Sequence, residues 1–281
     1  MPKLFYKLFA AGFCQHPQFV TIKGGSWRQH KFPAICALIK HPNHGYILFD
    51  TGYNENFFSA TKKFPFNIYK RITPVSVNCN NTLKTQLEKF GVKSEQISTI
   101  ILSHFHADHI SGIKDFPNAK IFCRKLAYDF VKNKTGFSAL KQGFLKDLLP
   151  ADFSKKINFV EEKKSIALDQ SLAPFESAFD IFGDQSLLVI DLPGHALGQI
   201  GIFFYDQNQQ PVFLVADSCW SSKAFRELRL PNFISYLIHF HKKSYQQTIK
   251  NLHQLHKNNQ QIKIIPSHCA EIWQEIKNSH D

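Results

Sequence analysis

Apolar residues along this chain fall mostly in short alternating or continuous runs broken by turn signals, and only a few stretches carry helical spacing. The opening "MPKLFYKLFAAGFC" has its apolar run interrupted by Lys7 and no clean small-residue cleavage site, so it predicts a first strand rather than a leader. "AICALIKH" (34–41) and "GYILFDTG" (45–52) flank the turn signal "PNHG" and predict a hairpin. "NNTLKTQLEKFGV" (80–92) predicts a helix capped by Asn80 or Asn81, with Leu83, Leu87 and Phe90 on one face and Gly91 at its end. Strands are expected at 97–104, 119–124, 186–195, 198–205, 211–218 and 262–268. A further helix is expected at "SYQQTIKNLHQLHKNN", with Tyr245, Ile249, Leu252 and Leu255 or His256 on one stripe. Residues 125–182 mix helical spacing with prolines and lysine doublets and read as a partly helical insert or cap; residues 54–73 read as a flexible apolar loop. The order strand-rich, helix, strand occurs twice, with no clean linker and no short repeat. We expect one domain over residues 1–281 with mixed sheets and helices, an α/β (α+β) fold.

The stretch "SHFHADHISG" (103–112) puts His104, His106, Asp108 and His109 at the end of a predicted strand. In a chain this rich in histidine, H-x-H-x-D-H arises by chance with a probability of roughly 0.002, so coincidence explains it poorly. Alternation in an extended segment sends His104 and His106 to one side, where they can share a metal ion. Asp108 and His109 follow once the chain has turned and can face a second ion. Three more metal-binding types close other predicted strands: His195 in "DLPGHALG", Asp217 in "VFLVAD" and His268 in "IKIIPSH". Together these make five histidines and two aspartates, a complete set for two divalent ions, zinc first and iron or manganese as alternatives.

Composition changes this picture little. Lys+Arg outnumber Asp+Glu by 34 to 22, a formal charge of +12, but the basic residues are scattered as doublets without a run. Nucleic acid is therefore not expected as a partner. No apolar stretch is long enough for a membrane span, and no membrane partner is expected. The six cysteines contain no C-x-x-C pair and read as buried thiols of a reducing cytoplasm. His239-x-His241 lacks the Asp-His continuation and is not expected to ligate; Cys219 and Cys269 are expected to be inert; "KGGSWRQ" (23–29) reads as a turn, with Arg28 a weak candidate for an anionic substrate group.

The ordered motifs Asp50-Thr51-Gly52, His104-x-His106-x-Asp108-His109, His195, Asp217 and His268 resemble those of the metallo-β-lactamase-fold hydrolases, over essentially the whole chain. The resemblance implies a four-layer αββα sandwich with the metals at one edge between two sheets. It assigns His104, His106 and His195 to the first metal and Asp108, His109 and His268 to the second, with Asp217 bridging and Asp50 orienting a ligand. It further implies a hydroxide shared by the two metals as nucleophile, with Asp108 and Asp217 as the catalytic carboxylates. A bridging aspartate is similar to the thioesterase, lactonase and phosphodiesterase branches and unlike true β-lactamases. The short stretch after His268 is not expected to supply the helical substrate domain of glyoxalase II, and no added nuclease domain is expected either.

The closest look is to the N-acyl-homoserine lactonases. That group usually carries a tyrosine three residues after the bridging aspartate, where this chain has Trp220. Trp220, Ser218 and Tyr53 are the candidate carbonyl-binding groups, and Phe57 and Phe58 the candidate acyl-binding ones. The expected function is metal-dependent hydrolysis of a small carboxylic ester, a lactone or a thioester, with a homodimer as the candidate assembly. A phosphodiesterase, or a metal-containing binding protein with little turnover, is the alternative.

Overall fold

A computed structural model describes residues 2–232 and 239–278. Its strands are β1 (Phe5–Pro17), β2 (Gln29–His41), β3 (Gly45–Phe49), β4 (Val75–Ser76), β5 (Ile97–Ile101), β6 (Lys120–Cys123) and β7 (Ile157–Phe159), followed by β8 (Lys164–Ala167), β9 (Ser177–Asp180), β10 (Leu187–Asp191), β11 (Ile200–Tyr205), β12 (Pro211–Ala216) and β13 (Lys263–Pro266). Among the described residues they form two mixed sheets, ordered β4-β1-β2-β3-β5-β6-β7 and β13-β12-β11-β10-β9-β8. The β2–β3 hairpin is antiparallel as its turn signal predicts, with Ala37 opposite Phe49.

Alternation along the strands sorts residues into layers. Ile35, Ala37 and Ile39 of β2 meet Leu187, Val189, Ile202 and Leu214 of the second sheet in a shared core. Their neighbours Ala34, Cys36 and Leu38 face the other way, onto helix residues Leu83 and Leu87. On the far side, Leu188, Phe203, Phe213 and Val215 pack against Tyr245, Ile249, Leu252 and Leu255 of the helix Lys242–Asn258. The result is helix, sheet, sheet, helix: the αββα sandwich.

Several local expectations need correction. The helix in "NNTLKTQLEKFGV" is Leu83–Lys89 and is capped by Thr82, whose hydroxyl accepts the Thr85 N–H at 3.3 Å; Asn81 instead accepts the N–H of Asn78. Phe90 leaves the buried face, 40% exposed and stacked on Phe5. Residues 54–73 are not a loop but hold the helices Asn56–Ala60 and Asn67–Ile72. The stretch 125–182 contains three short helices as expected, yet β7 extends the first sheet and β8 and β9 form the far edge of the second. A helix after His268, Ala270–Asn278, was not expected; it buries Ile272 and Ile276 in the inter-sheet core. Five cysteines are buried thiols, while Cys79 is exposed.

Candidate metal centre

Strand direction gathers the site. β3 and β5 run parallel, as do β12 and β13, and β10 is antiparallel to β11, which is antiparallel to β12. The carboxyl ends of β3, β5, β10, β12 and β13 therefore share one edge, where Asp50, His104, His195, Asp217 and His268 follow. Tight turns aim the side chains. Asp50 and Ala216, the residue before Asp217, sit at φ of 60° and 48°, left-handed values that non-glycine residues rarely hold. Gly52 at φ 67° is obligatory, since a Cβ there would stand 2.4 Å from the Ala11 Cβ.

Two donor clusters result, His104 with His106, His195 and Asp217, and Asp108 with His109, Asp217 and His268; in each, the donor atoms lie within 4.8 Å of one another. Asp217 belongs to both. Its Oδ2 is 3.2 Å from His195 Nε2 and 3.0 Å from His268 Nε2, and its Oδ1 is 3.2 Å from His109 Nε2. The buried His104 Nε2 makes no hydrogen bond, and His109 Nε2 and Asp217 Oδ1 meet at 3.2 Å without hydrogen-bond geometry. A buried polar atom without a hydrogen bond costs about 1–3 kcal/mol, and imidazole and carboxylate donors converging on one spot fit a divalent cation as their partner. All seven candidate metal-binding residues read from the sequence are thus brought together.

The opposite ring nitrogens are anchored. Asp50 Oδ2 lies 2.7 Å from His109 Nδ1 and from Ser103 Oγ, and Ser103 Oγ in turn lies 3.0 Å from His104 Nδ1. His268 Nδ1 lies 2.7 Å from the Pro33 carbonyl. Behind His195 stands His239, Nδ1 to Nδ1 at 2.9 Å. It does not join either donor cluster. His241 serves elsewhere, its Nδ1 accepting the Ser244 N–H at the start of the helix Lys242–Asn258.

Burial and charge divide the imidazoles. Burial, aided by His109 and His106, holds His104 well below the usual histidine range, and burial does the same to His195. Burial also lowers His239, to about 3. For His109 burial is outweighed by Asp108, Asp50 and Asp217, which hold it well above that range. For His268 it is outweighed by Asp217 and Asp108, giving about 10. Burial likewise opposes ionisation of Asp108 and Asp217, yet His109 and His268 hold both carboxyls well below theirs. In the metal-free protein at neutral pH, two imidazolium protons offset the carboxylates.

The centre opens on a cavity of about 520 Å³ walled by Val20, Tyr53, Tyr69, Ile72, Leu140 and Trp220. Of the candidate substrate residues, Tyr53 and Trp220 line it, and the buried Trp220 Nε1 makes no hydrogen bond. Ser218 does not line it: its hydroxyl is fully buried, donates to the Val215 carbonyl and accepts from Gln199 Nε2. Phe57 is a fully buried core residue packed on Tyr53 and Tyr69, and Phe58 packs beside it. The apolar wall from that segment is Tyr69 and Ile72, which sequence reasoning missed along with His16, Leu140 and Tyr245. Arg28 does not line the cavity, and Cys219 and Cys269 join neither cluster.

A third group, His41, His44 and Asp184, also gathers donor atoms. There His41 Nδ1 accepts the N–H groups of Asn43 and His44, and Nε2 faces Ser186 and Asp184. A metal at Nε2 would force a proton onto Nδ1 against those amides. The group is a clasp between the two sheets.

An αββα sandwich with two joined His/Asp clusters at one sheet edge defines a metal-dependent hydrolase with a dinuclear divalent metal site. The model of the metallo-beta-lactamase superfamily matches residues 32–213, and the chain belongs to that superfamily. The match stops short of Asp217 and His268, which the fold itself delivers. Curated relatives include an N-acyl homoserine lactonase, AttM, of Rhizobium radiobacter, 21% identical over 92% of this chain and 90% of its own. Another is a metallo-hydrolase of Annulohypoxylon moriforme, 26% identical over 66% of this chain and 48% of its own. Among solved structures, an N-acyl homoserine lactone hydrolase with N-hexanoyl-L-homoserine at its catalytic metal centre superposes with a TM-score of 0.74 at 18% identity, covering 98% of this chain and 96% of its own. The dizinc lactonase AidC gives 0.64 at 18% identity, covering 96% and 89%.

Proposed function

We propose that this protein hydrolyses a lactone with an apolar acyl arm, of the N-acyl-homoserine lactone kind, using two zinc ions. The observation that carries the reading is the cavity. Its volume of about 520 Å³ suits a small molecule, its walls are largely apolar, and it opens on both donor clusters. Lys141 is the sole lysine or arginine among its described lining residues, and burial keeps His16, His106, His195 and His239 below the usual histidine range. Such walls favour a neutral ester over a phosphodiester, whose charge would seek basic side chains. The lactonase activity of relatives such as AttM points the same way.

When bound, two divalent ions supply a hydroxide nucleophile at neutral pH and polarise the scissile carbonyl. Asp108 lines both the cluster and the cavity, so its carboxylate takes the proton released on attack and returns it to the leaving alkoxide. Trp220 offers its unpaired Nε1–H to the carbonyl oxygen, in the place where lactonases usually carry tyrosine. Trp220→Phe keeps the ring but loses that donor, so kcat should fall by about 10²-fold while KM stays within a few-fold. Steady-state kinetics on one lactone would read both; an unchanged kcat would remove Trp220 from the chemistry.

No helix among the described residues is long and apolar enough to cross a membrane, and the six cysteines are free. A reducing cytoplasm is the setting we propose. The reading is tested by initial rates of zinc-loaded protein on a long-chain acyl-homoserine lactone and an aryl phosphodiester side by side. Lactone turnover of about 10⁴ M⁻¹s⁻¹ or more, with a slow phosphodiester, is expected. A faster phosphodiester, or no turnover of either, overturns it.

A further inference from the structure

His195 presents Nε2 to the first cluster, 3.2 Å from Asp217 Oδ2 and 3.0 Å from His106 Nδ1. A neutral imidazole that offers one nitrogen's lone pair to a cation carries its proton on the other. That proton needs an acceptor, because a buried donor left alone weakens the ligand's hold and frees the ring to turn. The acceptor in reach of His195 Nδ1 is the Nδ1 of His239, at 2.9 Å. His104, His109 and His268 have their counterparts in Ser103, Asp50 and the Pro33 carbonyl. His239 extends that pattern to His195.

The backbone locks the pair. The Phe240 N–H donates to the His195 carbonyl and the His241 N–H to the Gly194 carbonyl, each at 2.9 Å. The His239 ring lies on Tyr245, centroids 3.9 Å apart and planes 25° from parallel. Gly194, at φ 131°, passes so close to Tyr245 that a Cβ would stand 2.1 Å from its nitrogen. One short segment thus holds both the main chain and the imidazole of His195. His239 lies 44 residues along the chain from His195.

We infer that His239 is a positioning residue: its Nδ1 accepts the Nδ1–H of His195 and thereby fixes which nitrogen of His195, and in which direction, faces the first metal position. This rests on the reading of His195 as a ligand. His239 itself joins neither donor cluster, and its ring lines the cavity together with that of His195.

The test compares full-length wild type with His239→Leu and His239→Asn, stripped of metal and titrated with Co²⁺. Leucine removes the acceptor while keeping bulk; asparagine places Oδ1 near the position of Nδ1. For the leucine variant we expect one of the two metals to bind about 10–100-fold more weakly, with an altered cobalt visible band, and the other to bind as in wild type. The unchanged second event reports that the variant is folded. Asparagine should bring the weakened affinity back to within a few-fold of wild type. The inference is overturned by a leucine variant with wild-type affinities and spectrum, or by an asparagine variant as weak as leucine, which would make His239 a packing residue. A wild-type protein that takes up fewer than two equivalents would instead bring down the metal reading on which this one stands.

Discussion

Asp217→Ala is expected to lower hydrolysis by about 10³-fold or more and to leave the protein with fewer than two tightly held metals. Among the described residues, no other belongs to both donor clusters. Its two oxygens face in different directions, Oδ2 towards His195 and His268 and Oδ1 towards His109, so one truncation strips a donor from each metal position. The loss is also electrostatic. His109 and His268 owe their raised affinity for protons partly to this carboxylate, and without it the buried imidazoles lose a counter-charge. Metal content by elemental analysis, taken with kcat/KM, reads both effects. Two retained metals with undiminished turnover would show that Asp217 does not join the positions. Asp217→Asn, which keeps shape and one oxygen, should fall between alanine and wild type.

How much of this was legible beforehand follows from distance along the chain. The candidate ligands could be read because four lie within six residues and the other three close apolar strands, where one residue ends a β-branched run and the next turns. Asp50 was legible only through the resemblance of Asp50-Thr51-Gly52 to a motif of the family. The cavity was not. Its walls come from His16 on β1, Tyr69 and Ile72 on a short helix, Leu140 on another, Tyr245 on a third and His239 just before it, and no local pattern links them. Phe57 and Phe58 looked like cavity residues because "NFFSA" is apolar without a clear period; one turn of helix instead sends Phe57 into the core. His239 was not expected to ligate, and it joins neither donor cluster among the described residues; a residue that partners a candidate ligand leaves no spacing signature. β7, β8 and β9 were missed because three- and four-residue strands carry too few alternations to be told from loop.

Metal uptake by the stripped protein should release about two protons from the side chains, and its overall affinity should fall about 10–100-fold for each unit that pH drops between 9 and 7. Free imidazoles, with an ordinary value near 6.5, would already be neutral across that range and would give a flat line. Here Asp108, Asp50 and Asp217 hold a proton on His109, and Asp217 and Asp108 hold one on His268 up to about 10, against the pull of burial in both cases. The sign follows directly. A raised value means that a proton is held where a free imidazole would have lost it, so a cation must displace it, and higher acidity favours the proton. His104 and His195, held low by burial, are already deprotonated and add no slope. Water activated by the metals adds to the proton count and never subtracts from it. Calorimetric zinc titration in two buffers of different ionisation enthalpy counts the protons, and repeating it at pH 7, 8 and 9 gives the slope. A flat affinity with no proton release would mean that His109 and His268 are neutral before the metals arrive. The ion-pair lattice of Asp50, His109, Asp108, His268 and Asp217 would then not be what keeps the site shaped in their absence.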